Sequence, residues 1–341
     1  MSVSKKTSKN FIFGYRLARN IFYHKLGKSY PIIVAIWPTY RCNEKCIFCG
    51  NFKKHVKKEL TTQEIFEIID QMNKLSIPIC AISGGEPLLR EDIIEIGEYL
   101  LEKNIRNSIN TNGILITKTL AKNLVKSYET IIISLDGFER THDYIRRTRN
   151  GFKLAVGGIR YLNSVKEDNL IGINFVLNKY NYRELIPFTK TLLKKKIVDF
   201  ISVQPVNYVK RLNVPVTETQ ALVNDLLKIK KKYPKFIRPT VTFLNKIPEF
   251  FSGEKFTCNG GRLYLTVDPS GDVLPCHCLE FTSPIGNLRN QKLKDILKSG
   301  KIKEFELRKK NCVGCLQEFT TEVSDVMNSS LLEMVKTFLT L

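Results

Sequence analysis

From residue 30 onward, short apolar runs alternate with stretches of helical spacing. "YPIIVAIW" (30–37) reads as a buried strand, "TTQEIFEIIDQMNKL" (61–75) as a helix, and "IPICAISGGEP" (77–87) as a strand running into a glycine-rich turn. Four further strands are expected in "NSINTN" (107–112), "TIIISLDG" (130–137), "LIGINFVLN" (170–178) and "VDFISVQPV" (198–206), separated by helix-length sequence. Six strand-then-helix units predict an α/β fold: a parallel sheet curled into a partial (β/α)6 barrel of TIM-barrel type, with its working end at the strands' C-termini.

The flanks differ. Residues 1–28 place Phe11, Tyr15, Ala18 and Phe22 at helical spacing, with Leu17 and Ile21 beside them and Lys5, Lys6, Lys9, Arg16, Arg19 and Lys25 interspersed. Such a helix suits either an anionic membrane surface or a cap on the main domain. A charged and aromatic stretch, 209–257, leads to a cysteine-rich tail, 258–315, and "SSLLEMVKTFLTL" (329–341) reads as an amphipathic helix that packs on the core through Leu331, Leu332, Val335, Phe338 and Leu339. The expected units are a basic helix (1–28), a core barrel (29–250), a small cysteine-rich extension (251–320) and a C-terminal helix (321–341).

With 341 residues, 43% of them hydrophobic, the chain can bury a substantial core. No run reaches the roughly 18 to 20 apolar residues of a membrane-spanning helix. Lys and Arg number 54 against 33 Asp and Glu, a net charge of +21 that either attracts anions or serves solubility. Nine cysteines in short clusters, without a signal peptide, fit metal binding in a reducing cytosol better than disulfides. A cytoplasmic protein, with peripheral contact on the inner face of the cell membrane, is the expectation.

Cys42, Cys46 and Cys49 crowd onto one loop directly after the first strand. Tetrahedral zinc needs a fourth ligand of its own, whereas three thiolates can hold three irons of a [4Fe–4S] cluster and leave the fourth open. With Phe48 before the third cysteine, this CxxxCxxC resembles the signature of the radical S-adenosylmethionine (radical SAM) superfamily. The resemblance implies that the open iron binds S-adenosylmethionine, whose reductive cleavage gives a 5'-deoxyadenosyl radical. It also implies an electron donor such as flavodoxin or ferredoxin, and no nucleic acid as partner. "SGGEPLL", with Gly84, Gly85, Glu86 and Pro87, is similar to the family's GGEP motif for the methionine amino group. "NTNG" and "SLDGFERTHDYIRRTRNGF" resemble further motifs. They imply that Asn110, Ser134 and Asp136 face the ribose or methionine, that Arg146 pairs with the methionine carboxylate, and that Asn178 is a weaker cofactor contact. Cys80 reads as a buried structural thiol and His142 as part of the fourth-strand loop rather than a base. No catalytic residue is assigned.

In the tail, Cys258 is followed by twelve residues, Gly271, four residues and Cys276, then by Cys312 and Cys315. The opening resembles the SPASM and twitch extensions of radical SAM enzymes, in which a hairpin gathers cysteines around an auxiliary cluster; Pro269, Ser270 and Gly271 are its turn. One auxiliary [4Fe–4S] cluster on Cys258, Cys276, Cys312 and Cys315 is implied, with Cys278 spare or substituting. Zinc on four cysteines is the alternative.

For substrate, residues 16–50 resemble the same region of adenosylhopane synthase and its relatives. With the basic start, this favours a small molecule or membrane lipid or its headgroup, including archaeal ether lipids and calditol-type headgroups. Ribosomal peptide maturation and oxidation of a sugar or aminocyclitol are the enzymatic alternatives. A non-catalytic metal-cluster protein that binds nucleic acid is the alternative of another class.

Overall fold

The computed structural model describes residues 3–28, 30–207, 209–256, 258–276, 283–309, 312 and 314–327, less the side chains of 3–6, 308, 319 and 326. Helix α1 (Val3–Lys25) leads into β1 (Ile33–Ile36), and the core continues as α2 (Thr62–Lys74), β2 (Ile79–Ile82), α3 (Ile93–Glu102), β3 (Arg106–Thr111), α4 (Lys118–Ser127) and β4 (Thr130–Ser134). Two helices, α5 (Glu139–Arg146) and α6 (Gly151–Val165), precede β5 (Leu170–Leu177), α7 (Tyr182–Lys195) and β6 (Phe200–Pro205). All six strands run parallel in the order β6-β5-β4-β3-β2-β1. Five of them are mostly buried on both faces, which is why they read as apolar runs, whereas β3, "RNSINT", alternates between buried and half-buried positions. The start of α2 is fixed by a capping box, in which Thr61 accepts from the Glu64 backbone and the Glu64 carboxylate accepts from the Thr61 backbone.

The sheet is open, and it is longer than the six expected strands. After α8 (Val216–Lys232) and α9 (Val241–Phe251), the tail supplies β7 (Tyr264–Val267), which pairs in parallel with β1 from Ile33↔Tyr264 to Ile36↔Val267. Antiparallel β8 (Asp272–Leu274) and β9 (Gly286–Asn287) follow, making nine strands among the described residues. The bare edge that β1 would otherwise present is thereby paired. The expected turn is there: Gly271 takes φ +89°, and Asp268 Oδ1 accepts from the backbone of Ser270 and Asp272. Tyr40, two residues before the first cysteine, donates to Asp268 across 3.0 Å in a buried contact between the core and the tail.

Alternate residues of β1 face two cores. Val34 and Ile36 pack under the helices with Cys80, whereas Ile33, Ala35 and Trp37 join Phe13, Leu17 and Ile21 of α1 on the inner face. The tail closes with α10 (Leu293–Lys298), α11 (Lys301–Arg308) and α12 (Glu318–Met327), whose Val323 and Met327 enter the inner cluster. Ser202 of β6 hydrogen-bonds Glu318 of α12, and Arg238 pairs with the same carboxylate. The amphipathic helix expected over 329–341 lies outside the described residues.

Helix α1 therefore caps the domain with one side. Asn20, fully buried, donates to the carbonyls of Pro31 and Ser76, and Arg16 donates to Asn73 and to the Lys103 carbonyl. The stripe picked out by spacing is the other side: Phe11 is 77% exposed, Tyr15 61% and Phe22 61%.

Candidate active site

The loop that leaves β1 carries all three clustered cysteines to the C-terminal mouth of the sheet. It is stitched there by backbone hydrogen bonds to the turn after β2: Gly85 N donates to Thr39 O (2.9 Å) and Glu86 N to Arg41 O (2.8 Å). Both glycines serve this approach. A Cβ on Gly85 would lie 2.2 Å from Arg41 O, and Gly84, at φ +109°, faces Thr39 and Trp37 in the same way. Asn51 donates to Gly84 O, and Asn112 of the turn after β3 donates to Asn43 between the cysteines. Asn112 is a site residue that sequence reasoning passed over in favour of Asn110.

Cys42 and Cys49 are half-buried and Cys46 is buried. Burial pushes the Cys42 thiol up to about 11 and the Cys46 thiol higher still. Asn110 and Ser134 stand on the inner face of β3 and β4, since their neighbours Ile109 and Ile133 pack on the helix side.

Four residues expected to touch a cofactor also have partners within the chain. The Glu86 carboxylate, 1% exposed, accepts from Leu88 N, Thr111 Oγ1 and Asn112 N; burial lifts it to about 7 against those donors. Asp136 accepts from Val176 N (2.7 Å) and Arg146 Nε (2.8 Å). Arg146 turns its other edge to Glu44, Nη1 to Oε2 at 2.9 Å, with Phe48 stacked 5.9 Å away. Asn178, fully buried, donates to Val176 O and accepts from Tyr180 N, which closes the turn after β5. Pro87 opens a short 3-10 turn. Glu86, Asp136 and Asn178 share a physical reason: short polar groups at strand ends satisfy the buried backbone nearby, and Arg146 pairs with the buried carboxylates.

His142 is wholly buried; its Nδ1 accepts from Asp136 N at 3.2 Å, and burial, helped by Arg146, lowers it to about 2. An unfolded imidazole titrates near 6.5, so below that pH only the unfolded chain gains a proton and stability falls. Between pH 7.5 and 5 the apoprotein should lose about 2 kcal/mol relative to His142→Gln, as measured by urea unfolding at each pH.

In the tail, Lys309 Nζ donates to Cys258 O, Cys312 N to Lys309 O, and the Gly260 backbone lies against Pro275 next to Cys276. The segments carrying Cys258, Cys276, Cys312 and Cys315 thus meet, while Cys278 lies outside the described residues. Among the described residues, no three His, Cys, Asp or Glu side chains converge on one metal ion.

Residues 36–192 match the radical SAM superfamily and residues 258–316 the SPASM iron–sulfur cluster-binding domain. The chain carries a radical SAM domain followed by a SPASM domain. Fe-coproporphyrin III synthase of Methanosarcina barkeri is 34% identical over 193 residues, 55% of this chain and 48% of that protein. PqqA peptide cyclase of Bradyrhizobium diazoefficiens is 22% identical over 258 residues, 73% of this chain and 67% of that one. SuiB of Streptococcus suis, solved bound to its precursor peptide SuiA, has the same fold: TM-score 0.67 at 20% identity, covering 89% of this chain and 74% of that one. The chain spans about half the length of the curated relatives it matches first.

A radical SAM domain implies a [4Fe–4S] cluster and S-adenosylmethionine, and a SPASM domain an auxiliary cluster. The residues fit. Three thiols share one loop, and Glu44 Oε1 on the same loop is a buried polar atom with no partner in the chain. Such a cluster, held by Cys42, Cys46 and Cys49, would supply the electron for reductive cleavage of S-adenosylmethionine. The chain's part is to seal the loop with the buried Glu86 and Arg146 hydrogen bonds and to leave Asn110 and Ser134 on the inner face.

Proposed function

We propose that this protein is a radical SAM enzyme that matures a ribosomally made peptide. Cys42, Cys46 and Cys49 hold the cluster that binds S-adenosylmethionine. Gly84, Gly85, Asn110 and Ser134 border the cofactor. Cys258, Cys276, Cys312 and Cys315 hold the auxiliary cluster, with Cys278 in reserve. The observation that carries the enzyme reading is the stitching of the cysteine loop to the Gly84–Gly85 turn at the mouth of an open parallel sheet. Peptide takes the place of lipid because relatives that span most of this chain are named for peptides, and the lipid resemblance covered only the leader. A porphyrin is the second reading, favoured by 34% identity to a coproporphyrin enzyme over 193 residues.

The test is to reconstitute the protein anaerobically, reduce it, add S-adenosylmethionine and look for 5'-deoxyadenosine. Failure to form it at full iron loading defeats the enzyme reading. Mass spectrometry of short peptides encoded beside the gene, co-expressed with the chain, should then show a loss of about 2 Da that requires Cys46; turnover of coproporphyrin instead would favour the second reading.

The exposed stripe of α1 supports peripheral contact with an anionic bilayer, since Phe11, Tyr15, Phe22 and Leu26 lie beside exposed Lys25 and Lys28. Among the described residues no helix is long and apolar enough to cross a membrane. Sedimentation with phosphatidylserine vesicles should fall at least about fivefold in Phe11→Ser/Phe22→Ser and in high salt. Equal sedimentation of the two proteins would remove this contact.

A further inference from the structure

The radical SAM reading leaves Glu44 without a role, although it lies between Cys42 and Cys46 and is 2% exposed. Its Oε2 accepts from Arg146 Nη1 at 2.9 Å and lies 3.7 Å from Cys46 Sγ. Arg146 passes the connection to Asp136 through Nε, and Asp136 is held by Val176 N at the end of β5 and by His142. The backbone runs alongside: Ile47 N donates to Ile145 O at 2.9 Å, and Lys45 N to Arg146 O. Arg147, at φ +52°, then ends α5 and turns the chain away.

We infer that Glu44, Arg146 and Asp136 form a buried latch that holds the cysteine loop in its cluster-binding position. The loop leaves β1, and Asp136 follows β4, which β2 and β3 separate from β1 in the sheet. No sheet ladder joins β1 to β4, so the mouth is spanned by two backbone hydrogen bonds, Ile47 N to Ile145 O and Lys45 N to Arg146 O, and by the Glu44–Arg146–Asp136 side chains. Two buried carboxylates share one guanidinium, and Glu44 Oε1 has no partner. Apolar side chains would fill that space at lower cost in desolvation, so the ring earns its place through the geometry it imposes. Arg146, held by Asp136, is therefore a positioning residue that acts on the loop through Glu44.

The inference rests on Cys42, Cys46 and Cys49 being the cluster ligands, but its first test does not need the cluster. In the full-length apoprotein, maleimide labelling of Cys46, mapped by mass spectrometry, should be at least about tenfold faster in Glu44→Gln and in Arg146→Lys than in wild type, because the loop opens locally. Cys80 should stay protected in both. Asp325→Asn, which breaks the Lys246 ion pair away from the loop, controls for general loosening and should leave Cys46 protected. The double variant Glu44→Gln/Arg146→Lys should label no faster than the worse single one, as members of one latch do. In reconstituted protein, both single variants should lose iron from the radical SAM cluster, keep the auxiliary cluster, and show a shifted electron paramagnetic resonance signal from what remains. Wild-type labelling rates in both variants would overturn the latch. A wild-type protein that loads no cluster on Cys42, Cys46 and Cys49 would instead overturn the functional reading, with the labelling result standing by itself.

Discussion

Replacing Cys46 with alanine should abolish S-adenosylmethionine cleavage, at least about a thousandfold, while iron falls from about eight to about four atoms per chain. Cys46 is the buried member of the triplet, and alanine offers no ligand in its place. Among the described residues no other thiol is placed to move in: Cys80 is fully buried on the helix side of β2, and Cys258, Cys276, Cys312 and Cys315 are gathered in the tail. The visible absorbance that remains should be that of the auxiliary cluster. It should disappear in turn when Cys312→Ala is added. Iron analysis alongside the 5'-deoxyadenosine assay checks both. Full iron with normal cleavage in Cys46→Ala would mean the cluster sits elsewhere, and zinc in place of the last four irons would make the tail a structural metal site.

Most of the parallel strands were legible because a strand buried on both faces needs an apolar run such as "IIVAI" or "TIIIS". The cysteine triplet was legible because its spacing is local. What escaped is non-local. Nothing in "YLTV" says that β7 extends the sheet at β1, since a hairpin arm and a barrel edge share one pattern. In 209–257, lysine runs obscured two helices whose apolar faces, Leu222, Val223 and Leu226, then Phe243, Leu244 and Ile247, are buried. The motif residues Glu86, Asp136 and Arg146 lie at the mouth, and their partners within the chain were not legible. Two of those partners, Asn112 and Glu44, lie tens of residues away or occupy an unremarked position between cysteines. In α1 both sides are apolar: Phe13, Leu17 and Ile21 on one, Phe11, Tyr15 and Phe22 on the other. Spacing alone cannot tell which side meets the core, and the membrane-lipid expectation leaned on that ambiguity.

Gly85→Ala should destabilise the protein by at least about 3 kcal/mol and empty the radical SAM site, although only one methyl group is added. The new Cβ would sit 2.2 Å from Arg41 O and 2.7 Å from Tyr40 C, backbone atoms that cannot rotate aside. Relief requires the two turns to separate, which breaks the Gly85 N to Thr39 O and Glu86 N to Arg41 O hydrogen bonds. Cys42, the next residue, moves with them. The Glu86 carboxylate, fixed by Leu88, Thr111 and Asn112, then loses its register with the loop. Gly157 in α6 is the contrast, because a Cβ there meets nothing within 4 Å. Gly157→Ala should be neutral or stabilising by up to about 1 kcal/mol, as expected for alanine in a helix. Thermal melts and iron content of the two variants, measured side by side, decide the matter. Equal stability and equal iron would show that the loop and the turn after β2 are not held together at the cluster site.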